Sequence, residues 1–304
     1  MKFKYWITAA RLRTLPLALS CILIGGSLSI NYKGSLPINT FILCLVTTLM
    51  LQILSNFAND YGDGIKGSDD KRLQKDRMVS QGHISVRSML IAIIITSIIT
   101  FITGLFLLIN VFESLNSLLF IFFLLLGIGS IVAAIKYTVG RSAFGYKGLG
   151  DLFVFIFFGL VGVIGSFYLF TKNFHWITIP GAIFTGALSS AVLNTNNMRD
   201  YTTDKLNGKN TLVVIIGIKN AKIYHYSLIT IAFVSMLFIL NRDNIISWIC
   251  LIPFIFLFKN IINVYRSINL IVLDKELKTI ALSCFACTFL YFIITLLQNN
   301  YLIP

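Results

Sequence analysis

Long stretches without a charged residue alternate with short charged segments along the whole chain. The charge-free runs cover residues 14–32, 34–59, 88–110, 114–135, 152–171, 173–198, 223–241, 244–258 and 279–304. A helix needs about 20 apolar residues to cross a hydrocarbon core of about 30 Å, and all but one of these runs reach roughly that length unaided. The exception, 244–258, extends to Tyr265 if Lys259 snorkels its ammonium to the interface. The pattern therefore predicts nine membrane-spanning helices: an all-α integral membrane protein, a single polytopic domain over residues 1–304. Pro16, Gly25, Gly26, Pro180 and Pro253 fall inside runs, where neighbouring helices tolerate kinks and close approaches.

Composition narrows the class further. Apolar residues make up 57% of the chain, charged residues only 12%, and mean hydropathy is +0.84. A globular domain carries about 25% charged residues, so roughly half the usual solvation is missing and a bilayer has to replace it. A soluble enzyme, a disordered tail, a fibre and a disulfide-rich scaffold are all excluded. Alternate loops hold 22 of the 25 basic residues; the opposite loops hold Lys33, Lys172 and Arg242. Short cytoplasmic loops retain Lys and Arg, which sets the N-terminus in the cytoplasm and, with nine spans, the C-terminus outside. The net charge of +13 is thus a topology signal with some attraction to anionic lipid, and no nucleic-acid partner is implied. The basic start and apolar stretch of residues 1–30 suit a secretory leader, but no Ala-x-Ala-like site follows and eight more runs do, so this stretch is expected to remain as the first helix. Five cysteines lie inside apolar runs as small hydrophobes, and Cys284-x-x-Cys287 has no second pair or nearby His to make it a metal or redox motif. His83, His175 and His225 are scattered and receive no chemistry.

The twelve acidic residues carry the chemical signal, because eight of them gather at cytoplasmic helix ends: Asp60, Asp63, Asp69, Asp70 and Asp76 after the second run, Asp151 before the fifth, Asp200 and Asp204 after the sixth. At about 100° per residue, Asn56, Asp60 and Asp63 fall within about 60° of one another on a helix; Asn196, Asp200 and Asp204 fall within about 80°. Converging carboxylates repel unless cations bind them, and hard oxygen ligands without Cys or His indicate Mg²⁺ rather than zinc. Mg²⁺ usually bridges a few carboxylates to substrate phosphates, so a phosphate-bearing substrate is implied. Lys136, Arg141, Lys147 and Arg77 are the cations available to clamp a diphosphate, although positive-inside topology alone also places cations there. Asp69, Asp70 and Asp76 read equally as solvated loop charges, whereas charges at a membrane helix end are functional by default.

Three segments resemble a known family: Asn-Asp-Tyr-Gly-Asp-Gly at 59–64, Lys-Tyr-Thr-Val-Gly-Arg-Ser-Ala-Phe-Gly-Tyr-Lys-Gly-Leu-Gly-Asp at 136–151 and Asn-Asn-Met-Arg-Asp-Tyr-Thr-Thr-Asp at 196–204. They are similar to the motifs of the UbiA superfamily of intramembrane aromatic prenyltransferases. With the opening Trp6-Ile-Thr-Ala-Ala-Arg-Leu-Arg-Thr-Leu-Pro-Leu, they most resemble its branch acting on 1,4-dihydroxy-2-naphthoate in menaquinone synthesis. The resemblance covers nearly the whole chain. It implies nine helices around a central cavity, with Mg²⁺ held on a polyprenyl diphosphate by a motif on the second helix and another on the sixth. The family's first motif, Asn-Asp-x-x-Asp-x-x-x-Asp, gives Asn59, Asp60 and Asp63 here but Gly67 in the last place, with Asp69 displaced by two residues. The second is matched in full by Asp200 and Asp204.

The resemblance further implies transfer of the polyprenyl group to the carboxylate-bearing carbon of the acceptor, with loss of carbon dioxide, giving demethylmenaquinone. Mg²⁺ and basic side chains would stabilise the departing diphosphate, and ring faces among Phe57, Tyr61, Tyr137, Tyr146 and Tyr201 could stabilise an allylic cation, though each is also ordinary packing. Arg11, Arg13, Arg141 and Lys147 are candidate partners of the acceptor carboxylate. Asp151 either deprotonates the acceptor hydroxyl or pairs with Lys147. Asn56, Asn59, Lys136, Tyr137 and Asn196 complete the expected substrate-binding set, in a bacterial-type inner membrane with the site facing the cytoplasm. Other acceptors (4-hydroxybenzoate, homogentisate, haem) fit the same fold. A carrier is the contrasting class, but carriers place their ionisable residues near the midplane.

Overall fold

The structure is a computed structural model that describes residues 3–67, 77–140, 142–241 and 244–299. Helix is the one regular repetitive structure among them. Helices α1 (Phe3–Ala10), α2 (Leu15–Lys33), α3 (Ile38–Ile65), α4 (Val86–Val111), α5 (Leu118–Lys136), α6 (Gly150–Val154), α7 (Ser166–Thr171), α8 (Thr178–Arg199), α9 (Tyr201–Leu206), α10 (Leu212–Ile239), α11 (Phe254–Arg266) and α12 (Leu273–Gln298) are joined by short 3₁₀ turns and by a π-helical stretch, Phe155–Gly165. Eight helical runs are long and apolar enough to cross a membrane, which makes this a multi-pass membrane protein: Phe3–Lys33, Ile38–Ile65, Val86–Val111, Leu118–Lys136, Gly150–Thr171, Leu212–Ile239, Ile245–Arg266 and Leu270–Gln298. The remaining predicted run, 173–198, forms α8. It has 22 residues, but Ser, Thr and Asn lower its hydropathy, and most of its length is buried within protein.

Local chemistry explains several helix ends. Ser85 and Ser117 cap α4 and α5 by accepting from the amides of Ser88 and Phe120, both at 3.1 Å, satisfying otherwise orphaned donors. Between α1 and α2, Arg11 adopts a left-handed conformation (φ 50°, ψ 61°), which is costly for a residue with a Cβ. Asn56 of α3 holds that break open, its Nδ2 donating to the Ala10 carbonyl (2.8 Å) and the Thr14 hydroxyl (3.0 Å).

The helices group into two compact units, each gathered from separate stretches of chain. The first comprises Met1–Leu15, Ile42–Gly150 and Asp200–Ile215. Its core packs Leu54, Phe57 and Ala58 of α3 against Ala9 and Ala10, the 78–84 segment, and Met89 and Ile93 of α4. Gly62 brings α3 against the chain after α5: a Cβ at this position would lie 2.8 Å from the Thr138 carbonyl carbon, and the Thr138 hydroxyl donates to the Ala58 carbonyl at 2.9 Å.

The second unit comprises Pro16–Phe41, Asp151–Arg199 and Ile216–Pro304. Here the π-helical stretch packs on α8. Gly159 and Gly186 permit the approach, since a Cβ on Gly159 would lie 2.6 Å from the Ala182 carbonyl oxygen. The Thr185 hydroxyl donates to the Phe158 carbonyl (3.0 Å), satisfying a backbone group in a register that departs from i→i−4. A buried polar chain links α8, α10, α11 and α12. His225 Nε2 meets Asn260 Oδ1 (2.8 Å), Asn260 donates to Glu276 Oε2 (2.7 Å), and Asn263 donates to Glu276 Oε1 (2.8 Å).

Candidate functional site

The first unit gathers the C-terminal end of α3, the turn after Arg77, the loop around Tyr146 and the segment 200–211. Asp60 is fully buried, and both its oxygens accept main-chain amides of that turn, from Met78 at 2.9 Å and Val79 at 3.1 Å. Asp63, one helical turn on and equally buried, is the centre of a charge cluster. Its Oδ1 accepts from the Tyr146 hydroxyl at 2.7 Å; its Oδ2 accepts from Arg77 Nη2 at 2.9 Å and Lys209 Nζ at 3.5 Å. The Arg11 guanidinium lies within electrostatic reach of Asp63 as well.

Lys66 closes the other side of Tyr146. Its ammonium sits 3.8 Å from the ring centroid and donates to the Thr138 carbonyl at 2.7 Å, while Lys209 lies 5.1 Å from the same centroid. Burial first, and then the neighbouring Lys209, hold the Lys66 ammonium below the ordinary lysine value against the opposing pull of Asp63. Cations crowded around one carboxylate form a site with a surplus of positive charge and donors, which suits an anion carrying more charge than Asp63 supplies.

The second motif differs from its expected geometry. Helix α8 ends at Arg199, Asp200 is non-helical (φ −92°, ψ 7°) and α9 begins at Tyr201, so Asn196, Asp200 and Asp204 do not share one helical face. The break re-aims the chain: the Asp204 amide donates to the Asp200 carbonyl at 2.9 Å, and the Lys209 amide donates to the Asp204 carbonyl at 2.8 Å. Gly208, with φ 68°, makes the tight return that carries Lys209 back to Asp63. Asp200 and Asp204 are buried, at 7% and 8% exposure.

The remaining predicted residues divide clearly. Asn59 Oδ1 accepts from the Thr138 hydroxyl (3.2 Å), and Asn56 braces the Arg11 break. Tyr137 packs edge-on against Phe144 (5.4 Å), and Phe57 against Trp6 (5.7 Å). Lys136 and Lys147 are exposed, and among the described residues neither pairs with Asp60 or Asp63. Arg141, Asp69, Asp70 and Asp76 lie outside the described residues. In the second unit, Asn196 accepts from Arg199 (2.8 Å), which also pairs with Asp274 at 2.6 Å. Asp151 is 4% exposed, and among the described residues neither of its oxygens has a partner in full hydrogen-bonding geometry. No sequence signal separates Lys209 and Lys66 from the other loop lysines, because positive-inside counting absorbs them all.

Among the described residues no three His, Cys, Asp or Glu side chains converge closely enough to hold a metal on their own, because Asp60 and Asp63 are turned onto protein donors. The donor set nevertheless fits Mg²⁺. All four carboxylates are buried, all ligand atoms are hard oxygens, and a carboxylate offers about four lone-pair positions, of which Asp60 uses two. Mg²⁺ is ordinarily completed by water and substrate phosphate rather than by an all-protein cage.

Buried carboxylates, one of them ringed by cations, at one end of apolar helices fit the class of intramembrane enzymes that handle a phosphorylated lipid-like substrate. The chain belongs to the UbiA prenyltransferase family, whose model it matches over residues 18–271. It is 45% identical over 234 residues to the 1,4-dihydroxy-2-naphthoate octaprenyltransferase of Haemophilus influenzae, covering 76% of this chain and 75% of that one. It is 44% identical over 225 residues to the Escherichia coli enzyme of the same name, covering 74% and 72%. Its fold matches that of a UbiA homolog from Aeropyrum pernix K1 in the apo state, with a TM-score of 0.67 at 15% identity, covering 97% and 98% of the two chains. A UbiA homolog from Archaeoglobus fulgidus bound to GPP and Mg²⁺ aligns with a TM-score of 0.58 at 18% identity, covering 93% and 99%.

Proposed function

We propose that this protein transfers a polyprenyl group from polyprenyl diphosphate to 1,4-dihydroxy-2-naphthoate with loss of the acceptor's carboxylate. The product is demethylmenaquinol, the hydroquinone form of demethylmenaquinone, and the site works at the cytoplasmic face of a bacterial-type inner membrane. The observation that carries this reading is the Asp63 cluster, a buried carboxylate held by Arg77, Lys209 and Tyr146 in the same compact unit as Asp60, Asp200 and Asp204. The named relatives at 44–45% identity support the choice of acceptor. The excess of Lys and Arg in alternate loops supports an N-terminus in the cytoplasm.

Asp60, Asp63, Asp200 and Asp204 would hold Mg²⁺, which when bound neutralises the diphosphate and stabilises the charge that gathers on it as it leaves. The chain's own residues supply the rest. Arg77 and Lys209 exchange the Asp63 carboxylate for diphosphate oxygens, Arg as a fork and Lys as a point charge. Lys66 and Arg11 add to the same field, and the exposed Lys136 and Lys147 add to the positive charge at this end of the chain's first unit. Tyr146 fixes Asp63 by its hydroxyl and both lysines by its ring. Asn59, locked to Thr138, sets the pitch of the first motif; Asn56 sets the backbone at Arg11; Asn196 steadies Arg199 immediately before Asp200. The bond between the prenyl C1 and oxygen breaks with its electrons leaving on diphosphate. The carboxylate-bearing ring carbon then forms the new carbon–carbon bond and releases carbon dioxide. Tyr137 and the packed aromatic side chains around the motifs keep water from the allylic cation, and Asp151 takes the proton of the acceptor hydroxyl.

Membranes containing the protein, incubated with Mg²⁺, a prenyl diphosphate and either 1,4-dihydroxy-2-naphthoate or 4-hydroxybenzoate, test the reading by product mass. A prenylated naphthohydroquinone lacking the carboxylate, or the quinone it forms on oxidation in air, is expected. Transfer to 4-hydroxybenzoate alone would overturn the acceptor assignment, and no transfer to either, with EDTA leaving donor binding unchanged, would overturn the transferase itself.

A further inference from the structure

Among the described residues, both carboxylate oxygens of Asp151 (4% exposed) and the Oδ1 of Asn194 (0% exposed) are buried acceptors with no donor within full hydrogen-bonding geometry. They belong to one locality of the second unit. Ser190 Oγ donates to the main-chain oxygen of Asp151 at 3.3 Å, and Asn194 follows Ser190 by one turn on the same face of α8. Asn194 Nδ2 donates to the Ala221 carbonyl of α10 at 2.9 Å. One turn on from Ala221, the Tyr224 hydroxyl faces the Asp151 carboxylate at the margin of hydrogen-bonding reach. The Asn194 amide can sit only one way round, because a carbonyl accepts solely from the NH₂ end; what is left over is an acceptor. Each buried acceptor without a donor has lost its water without a replacement, at a cost that is larger if the group is charged, and such a group in a native fold calls for an explanation.

We propose that Asp151 and Asn194, with Tyr224 as a third polar wall, form the subsite that receives the ring hydroxyl groups of the aromatic acceptor. This inference rests on the reading of the protein as a prenyltransferase with a hydroxylated acceptor. A site lined by unpaired acceptor atoms takes hydrogen-bond donors and repels anions, so a hydroxylated naphthoate enters hydroxyl edge first with its carboxylate pointing out. Asp151 then takes the hydroxyl proton. The O–H bond breaks, its electron pair stays on the ring oxygen, and electron density rises at the adjacent carboxylate-bearing carbon, which attacks the prenyl C1 as diphosphate leaves. When carbon dioxide departs, its bonding electrons return to the ring, and Asp151 gives the proton back to the ring oxygen.

The test is equilibrium binding of 1,4-dihydroxy-2-naphthoate, 1-hydroxy-2-naphthoate and 2-naphthoate to the full chain in lipid, without donor. Loss of both hydroxyls is expected to weaken binding about ten- to hundredfold. Asn194→Leu and the milder Tyr224→Phe should shrink that preference towards unity and raise the KM for the acceptor while leaving the KM for polyprenyl diphosphate in place. Equal binding of the three rings by the unaltered chain, or a preference undiminished in both variants, would overturn the subsite. If Asn194→Leu fails to accumulate in membranes, Tyr224→Phe and the ring series decide alone. A chain that prefers hydroxylated rings but prenylates none of them would keep the subsite and overturn the reaction; transfer without any hydroxyl preference would do the reverse.

Discussion

Replacing Asp63 by Asn should strengthen the binding of a free diphosphate in the absence of metal while destroying transfer in its presence. The substitution keeps the shape of the side chain and an acceptor for Tyr146, but removes a buried negative charge lying 2.9 Å from Arg77 and 3.5 Å from Lys209. At an effective dielectric of about 20, pairs at those distances attract by about 6 and about 5 kcal/mol before desolvation is subtracted. Because desolvation offsets much of that, the net cost of stripping this counter-charge is about 3–5 kcal/mol, and the unliganded variant should unfold more readily. An incoming pyrophosphate meets the reverse balance. In the unaltered chain it must displace Asp63 from both cations and tolerate its repulsion, whereas in Asp63→Asn the cations already lack that partner. Relief of about 1–3 kcal/mol corresponds to about five- to 150-fold tighter binding. Titration calorimetry with pyrophosphate in EDTA measures it, and a thermal-shift series should show pyrophosphate rescuing the variant more than the parent. With Mg²⁺ restored the order should invert, since a ligand is gone. Weaker or unchanged metal-free binding in the variant would refute the account of Asp63 as the resident stand-in for substrate charge.

Tyr146→Phe removes the 2.7 Å donor to Asp63 but keeps the ring beneath both lysines, and should lower kcat/KM for prenyl diphosphate about five- to tenfold. Tyr146→Leu removes the ring too and should cost several-fold more; equal losses would show that the ring–ammonium contacts contribute nothing. Gly62→Ala, which forces a Cβ onto the Thr138 backbone, should displace the loop carrying Tyr146 and destabilise the protein by about 1–3 kcal/mol, read by thermal unfolding in detergent; a neutral result would mean the loop yields freely. Asp60→Ala and Asp200→Ala should each abolish transfer while the protein still inserts in the membrane, assayed by product mass and membrane fractionation.

The spans were legible because a bilayer penalises every charge, so the loops announce themselves. Counting charges also drew a ninth run at 173–198, where the structure has α8, a helix rich in Ser, Thr and Asn that is free of ionised groups but is not among the eight runs apolar enough to cross a membrane. The carboxylates of the first motif were legible because helical periodicity runs unbroken through Asp63. It fails at Asp200, where no Gly or Pro marks the change of direction. The partners of Asp63 were only partly legible. Arg77 was nominated as a cytoplasmic cation and Tyr146 as a neighbouring aromatic, but Lys209 is brought to Asp63 across 146 residues, and no local pattern encodes such a pairing. The π-helical stretch was invisible for a different reason: where every residue is apolar, a change of winding leaves the hydropathy pattern untouched.

The left-handed backbone at Arg11 links heat resistance to catalysis. A glycine at that position would relax about 1–2 kcal/mol of steric strain, and a search for hardier variants of this enzyme would be expected to find Arg11→Gly early. The same exchange removes a guanidinium from the field around Asp63. Selection for thermal endurance alone would therefore drift towards a sturdier protein with a poorer grip on its anionic substrate, and only a screen that scores both properties together would keep the arginine.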